Sequence, residues 1–445
     1  MESYIHLYKT NSDFTAAYNS PNYKEPWLSL TEEGMTISYN KPKLTAITFN
    51  SITWVTDVPS TGGTATKDNC EFKVYGNYDN GASVDISSDA TVEGTLVVPS
   101  STEGQRHEAG QLTLTASYSG FSATGNVTVY QEAVPDFSTE PLTFNILSAG
   151  TINWTALDTA VTKTINYKLN NNEWVSITSS TEETAPSIEV NSGDKLQFRG
   201  NNAQYATYEW DYNSFSGSTA LFEVEGNIMS LIYGDNFKNN LTISSAYTFY
   251  GLFSDCTGLT SAENLVLPAT TLARSCYANM FSKCTSLATA PALPATTLAT
   301  QCYSGMFYGC TKLTTAPVLP ATTLASHCYN SMFYGCTSLT TAPELPSTAL
   351  TESCYNSMFN GCTSLTTAPA LPVITLAMGC YQGMFYGCTN LNYIKCLATD
   401  ISAFACTDTW VNGVAKTGTF VKASSMNDWS TGISGIPTGW TVQDA

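Results

Sequence analysis

Residues 313–339 read LTTAPVLPATTLASHCYNSMFYGCTSL, and the same phrase returns with small edits on both sides of it. Cysteine sets the register. Cys276, Cys302, Cys328, Cys354 and Cys380 stand 26 residues apart, and Cys284, Cys310, Cys336, Cys362 and Cys388 keep the same step. An earlier copy, FYGLFSDCTGLTSAENLVLPATTL, aligns through Phe253 and Cys256. It carries two extra residues before its Leu-Pro pair and lacks the first cysteine. A unit of this size cannot close a core of its own, so the copies must stack, with the terminal ones adapted as caps. The reading is a solenoid over residues 244–398, followed by a C-terminal cap at 399–445 that abandons the period.

Within one repeat, Cys328, Met332 and Cys336 fall at i, i+4 and i+8, with Tyr329 and Phe333 beside them. On a helical turn these positions form one inward stripe, so the spacing predicts a short helix. The LTTAPELP stretch that follows is interrupted by Pro343 and Pro346 and can add only a short strand or a bulged edge. The solenoid is therefore expected to be α/β.

Upstream the pattern changes. From Leu44 to about Pro135, short β-branched runs (LTAITF, EFKVYG, TLVVP, QLTLTASY, GNVTVY) alternate with Gly, Asn, Asp and Pro turns, the spacing of a β-sandwich. A second β pattern runs from Phe137 to about Leu241, with a hairpin turn expected at Asn170, Asn171 and Asn172 because Asn tolerates positive φ. The organisation read from the chain is thus multidomain: an arm at 1–43, β-sandwiches at 44–136 and 137–243, then the solenoid and its cap.

Two family resemblances follow. The text SITWVTDVPSTGGTATKDNCEFKVYGNYDNG, closing on VTVYQEA, resembles bacterial immunoglobulin-like domains. The phrases MFYGCTKL (306–313), MFYGCTSL (332–339), MFNGCTSL (358–365) and MFYGCTNL (384–391) resemble the BspA-like leucine-rich repeat, from which this chain departs by its longer period and its LPATTL insertion.

Charge and cysteine usage narrow the function. Of the net charge of −18, residues 1–250 hold 28 acids against 12 bases and the rest 8 against 6. Such a front repels phosphate backbones and anionic membranes, so nucleic-acid binding is not expected. Neither a secretory signal nor a bilayer-spanning run is visible after Met1, so cytoplasmic synthesis is expected, with no membrane insertion. A Cys-x7-Cys pair on a helix would lie about 12 Å apart, too far for an intra-repeat disulfide. The only histidines are His6, His107 and His327, which leaves no metal-ligand spacing. The reading is buried reduced thiols, with no metal and no cofactor. No nucleophile elbow, phosphate loop or dinucleotide fingerprint occurs, and no enzymatic role is expected.

Aromatic residues are the remaining lead, because flat rings beside amides and hydroxyls suit sugars. Tyr208, Trp210 and Tyr212 would share one face of a strand, as a platform or as core, with core the better reading. Tyr308, Tyr334 and Tyr386 follow the inward Phe of each phrase and should turn outward, Asn360 breaking the column; the alternative is packing between repeats. In the arm, Tyr4, Tyr8 and Trp27 suggest a docking segment or a pair of strands on the next domain.

Taken together, the YIHLY start, the immunoglobulin-like text, the GNIMSLIYGDNF segment and the GIPTGW tail resemble proteins of gut Bacteroidales and their tailed phages, including crAss-like phages. The resemblance implies a non-enzymatic virion fibre or capsid decoration. It would dock on other virion proteins by its N-terminal arm and adhere to host or mucosal glycans through its repeats, at the virion surface. It also implies a homo-oligomer, as a trimer. The alternative is a BspA-like adhesin on a bacterial cell surface.

Overall fold

A computed structural model describes residues 27–31, 34–38, 43–59, 62–79, 81–99, 107–131 and 136–445. The protein is multidomain and β-rich. Among the described residues the one α-helix is the single turn Ser230–Tyr233, and no helix is long and apolar enough to cross a membrane. The chain divides into two units, Met1–Asp136 and Phe137–Ala445.

In the first unit, alternation decides which face is buried. Along His107–Tyr118, Leu112, Leu114 and Ala116 point into the core while Gln111, Thr113 and Thr115 stay exposed. This strand forms a hairpin with Phe121–Gln131 through Ser119 and Gly120, at φ 50° and 85°. Two consecutive left-handed residues are what a type I′ turn requires. Leu44–Trp54 pairs antiparallel with Cys70–Tyr78, which pairs with Ser83–Asp85. Thr91–Glu93 joins the hairpin, and Gly63–Thr66 pairs with Thr95–Val98. All of these close over one core containing Ile47, Val74, Val92, Leu114 and Val129. Trp27–Thr31 and Gly34–Ser38 form an antiparallel pair with each other; Tyr4 and Tyr8 lie outside the described residues.

Residues 137–243, 244–398 and 399–445 share one hydrophobic core, continuous from Leu142 to Trp440. The join is a strand. Phe222–Asn227 pairs antiparallel with Leu142–Ile146 and, on its other edge, parallel with Leu259–Ser261 and Leu265–Val266. The upstream β region is therefore the first layer of the stack. Its hairpin turn falls at Asn170, at φ 53°, between Thr164–Leu169 and Val175–Thr178.

The predicted helix in each repeat is absent, and the hydrogen bonds give the reason. In the rung 301–310, Cys302, Ser304, Met306, Tyr308 and Cys310 each donate their N–H three residues back, to Ala299, Gln301, Tyr303, Gly305 and Phe307, at 3.0–3.2 Å. The residues between them donate to the next repeat: Tyr303 to Cys328 O, Gly305 to Asn330 O, Phe307 to Met332 O and Gly309 to Tyr334 O, at 2.7–3.0 Å. An α-helix would spend every amide on i−4 and leave nothing to join the rungs.

The backbone is instead a chain of overlapping β-turns in which every fourth residue is left-handed, as at Gln301, Gly305 and Gly309 (φ 58°, 61° and 71°). These residues sit third in the turns closed by Cys302, Met306 and Cys310, where a type II turn requires positive φ. Four residues return the chain to the same side, whereas an α-helix would drift by about 40° over that span. The inward stripe is consequently kept: Cys328, Tyr329, Met332, Phe333 and Cys336 are all buried. At position 335 the positive φ of 70° is the reason for glycine, since a Cβ there would make only an ordinary 3.7 Å contact with the Gly309 Cα of the rung below.

Because every second carbonyl faces the preceding rung and the N–H after it the next one, the stack has a donor-hungry end and an acceptor-hungry end. At the first, Tyr205 N–H bonds Thr248 O and Phe215 N–H bonds Leu252 O. The Ser214 hydroxyl reaches Leu252 O and Ser254 O at 3.1 and 3.2 Å. At the second, Val411 N–H bonds Ile433 O, Thr409 N–H bonds Ser434 Oγ at 2.9 Å and the Trp410 indole bonds Gly435 O at 2.9 Å.

The tail also departs from its expected loss of period. Cys406 and Gly413 stand one 26-residue step beyond Cys380 and Gly387. Ala405, Thr409 and Gly413 have positive φ, and Tyr393–Cys396 pairs in parallel with Thr419–Lys422. The first part of the cap is a further rung in which WVNGVA replaces MFYGCT.

Inside the stack, Phe253, Phe281, Phe307, Phe333, Phe359 and Phe385 form a ladder with neighbouring ring centres 5.4–5.9 Å apart. Tyr277, Tyr303, Tyr329, Tyr355 and Tyr381 form a second one at 5.7–6.2 Å. Both meet Trp410, on which Trp429 stacks at 5.7 Å.

The second cysteine column explains itself similarly. Cys284, Cys310, Cys336, Cys362 and Cys388 donate their thiols to the carbonyls of Phe253, Phe281, Phe307, Phe333 and Phe359 at 3.0–3.1 Å. A small apolar side chain with a weak donor fits a buried carbonyl that already accepts its own turn amide. All fourteen cysteines are free thiols, and only Cys70 is not buried. Burial pushes the thiols of Cys276, Cys336 and Cys388 up to about 12.

Candidate binding face

Each rung buries residues in pairs, Cys302 with Tyr303 and Met306 with Phe307, and leaves the pairs between them on its outer side. Stacking turns this outer side into columns. One contains Ser304, Asn330, Asn356, Gln382 and Asp408; the other contains Tyr308, Tyr334, Asn360, Tyr386 and Asn412. Two rungs of the amide column are tied, with Asn356 Nδ2 donating to Gln382 Oε1 at 2.9 Å.

Tyr308 and Tyr334 are half-buried and stacked on each other at 4.7 Å with planes 10° apart. Outward placement and packing between repeats are therefore both true of this pair. Tyr386, beyond Asn360, is 44% exposed.

Tyr208, Trp210 and Tyr212 do not share one strand face. They sit on a hairpin whose strands are Ala206–Tyr208 and Asp211–Ser214, with Tyr208 opposite Asp211. Glu209 and Trp210 make the tip, Trp210 at φ 80°. A reversal this tight separates the residues, because a strand's two-residue alternation stops at the turn. The core reading is also corrected for two of the three: Tyr208 and Trp210 are 63% and 66% exposed. Tyr212 packs edge-on against Tyr250 at 5.4 Å, while Tyr205 and Phe215 of the same segment are fully buried.

This hairpin lies on the outer positions of the first rungs. The Tyr250 hydroxyl, which burial pushes up to about 12, accepts from Asn279 Nδ2 at 2.8 Å and is held by the Trp210 backbone. Gln301 Nε2 reaches Glu209 at 3.5 Å and Arg274 Nε reaches Gln301 at 3.2 Å. Tyr250 stands in register with Ala278 and Ser304, at the head of the amide column. The tertiary structure thus brings the hairpin that carries Tyr208 and Trp210 onto the outer side of the first rungs. A bulky ring at positive φ stores roughly 1–2 kcal/mol of strain that glycine would relieve, yet here it holds an exposed indole.

Sequence reasoning passed over Asn330, Asn356 and Gln382; the signal was present as polar residues recurring at the 26-residue step. The carboxylates with lowered pKa are not clustered. Asp85, Asp194 and Asp400 are held down by hydrogen bonds from Ser87, Asn170 and Ser402, and each serves its local turn. No group of His, Cys, Asp and Glu with metal-binding geometry occurs among the described residues. Comparison with protein-family models and with curated proteins returns no match.

Proposed function

We propose that the protein is a non-enzymatic adhesin displayed on a tailed-phage virion, as a fibre or capsid decoration, and that it binds host or mucosal glycans through the outer face of its rungs. In this reading residues 44–136 are an immunoglobulin-like sandwich, the repeats are a BspA-like leucine-rich-repeat solenoid, and the N-terminal arm docks on other virion proteins. The supporting observation is the outer face itself, where Tyr308, Tyr334 and Tyr386 stand in one column and Asn330, Asn356 and Gln382 in another, with Tyr208 and Trp210 exposed on the hairpin over the first rungs. Rings supply apolar contact to sugar faces and amides satisfy hydroxyls. A face that repeats its chemistry suits a repetitive polymer, and homo-oligomers such as a trimer would multiply weak contacts by about 10²–10⁴.

Retention of the full chain on immobilised gastric mucin, compared with the Tyr308→Ala/Tyr334→Ala double variant, tests the adhesive role. Wild-type retention lost in the variant supports it; a wild-type protein that passes straight through mucin and a glycan array refutes it. Mass spectrometry of purified particles tests the location. Many copies in virions support it, whereas recovery only from cell surfaces with a processed N-terminus transfers the reading to a bacterial adhesin.

A further inference from the structure

Resting on the glycan reading above, we infer that the gap left by Asn360 in the tyrosine column is a single-sugar subsite: a slot between Tyr334 and Tyr386 that takes one pyranose ring edge-first. Tyr308 and Tyr334 show what the column does where it is complete. Their rings stack at 4.7 Å, so each covers a face of the other and neither of those faces is open to a ligand. One rung further on, Asn360 replaces the ring, and Tyr386 follows after one more step. The Tyr334 face turned away from Tyr308 has no ring against it, and Tyr386 has no ring neighbour among the described residues.

The width follows from the register. Two steps at the usual strand spacing separate Tyr334 from Tyr386 by about 9.5 Å. A flat ring sandwiched at carbon contact distance on both sides needs only about 7–8 Å. A puckered pyranose, thicker than an aromatic ring by its axial hydrogens, fills the remainder. The floor and one side are polar and uncharged. Asn360 Nδ2 lies 3.9 Å from where a Gly383 Cβ would stand, and Ser357 Oγ lies 3.1 Å from the same point. Gly383 is buried, and its missing Cβ lets Ser357 and Asn360 close over it as the base of the slot, with Asn356 and Gln382 bonded to each other alongside. Amides and a hydroxyl meet the hydroxyl edge of a sugar. A charged ring would find no counter-ion among these four.

The decisive variant is Asn360→Tyr, which completes the column and fills the slot while adding an aromatic ring to the stripe. The observed Tyr308–Tyr334 stack shows that rungs accept such a neighbour, and an unchanged melting temperature checks it. On gastric mucin, Asn360→Tyr and Tyr386→Ala are each expected to lower retention about tenfold or more, and Tyr308→Ala to leave it within about twofold, as befits loss of a ring contact at one subsite only. Retention by Asn360→Tyr at or above wild type, together with loss in Tyr308→Ala, overturns the slot and leaves the stripe as the adhesive surface. No retention of the unaltered protein on mucin or the array removes both. Should Asn360→Tyr fail to fold, Tyr386→Ala, at a largely exposed position, decides alone: wild-type retention overturns the slot.

Discussion

Replacing Phe333 by alanine removes an inner ring of the phenylalanine ladder, the fourth of six. Phe333 is fully buried and stacks at 5.7 Å on both Phe307 and Phe359. Truncating a buried phenylalanine costs about 3–5 kcal/mol, and losing two ring contacts places this one at the upper end, about 4–5 kcal/mol. Its sequence neighbour Tyr334 is half-buried with one ring contact, so Tyr334→Ala should cost only about 1 kcal/mol. The assay is urea unfolding of the full chain followed by circular dichroism and tryptophan fluorescence. The core is continuous from Leu142 to Trp440, so the second unit should melt in one transition. With a slope near 3–4 kcal/mol per molar for a unit this large, the Phe333→Ala midpoint falls by about 1 M or more. Equal losses for the two variants would refute the inward and outward assignment. A Phe333→Ala transition split into two steps would refute the single core, showing that rungs respond only to their nearest neighbours.

Alkaline pH should unfold the second unit early. Its buried thiols have folded pKa values raised by burial, to about 12 for Cys276, Cys336 and Cys388, so they favour folding fully below the unfolded value near 9 and lose that contribution as pH rises toward 12. At pH 10 each of these three thiols forfeits about 1.4 kcal/mol, a combined loss of about 4 kcal/mol, a large share of the whole stability of a domain. Circular dichroism that is unchanged at pH 11 would contradict this. Truncation after Lys416 removes Ile433, Ser434 and Gly435 from the amides of Val411 and Thr409 and the indole of Trp410. The exposed rung should then pair with another chain, read as dimers or larger species by light scattering; a monodisperse species of unchanged stoichiometry would count against the capping role. Trp210→Gly should raise stability by about 1 kcal/mol by relieving the positive φ, while reducing mucin retention. A destabilised Trp210→Gly would mean the indole is anchored.

The two cysteine columns made the stack, its register and its inward residues legible, because any four-residue repeat of apolar side chains must face one way when copies pile up. Helix and turn-coil were not distinguishable on that basis. Spacing of i, i+4 and i+8 satisfies both, and the deciding quantity is where each amide finds its acceptor. Gly309, Gly335, Gly361 and Gly387 at the 26-residue step were the available hint, since a helix interior disfavours glycine. The segment bearing Trp210 reads as one strand because nothing in YATYEWDYNSF marks a turn: no Gly, Pro or Asn-Gly pair stands at Glu209–Trp210.

The candidate face divides in the same way. The columns of Tyr308, Tyr334 and Tyr386 and of Asn330, Asn356 and Gln382 follow from the repeat alone, because one period returns the same position to the same side on every rung. That the hairpin carrying Tyr208 and Trp210 lies on the outer side of the first rungs, that 137–243 donates hydrogen bonds to the first rung, and that 431–436 closes the last are properties of the tertiary structure. They depend on unpaired amides and carbonyls at the ends of the stack, and such groups take whichever partner the folded chain brings within reach, however far away it lies in the sequence.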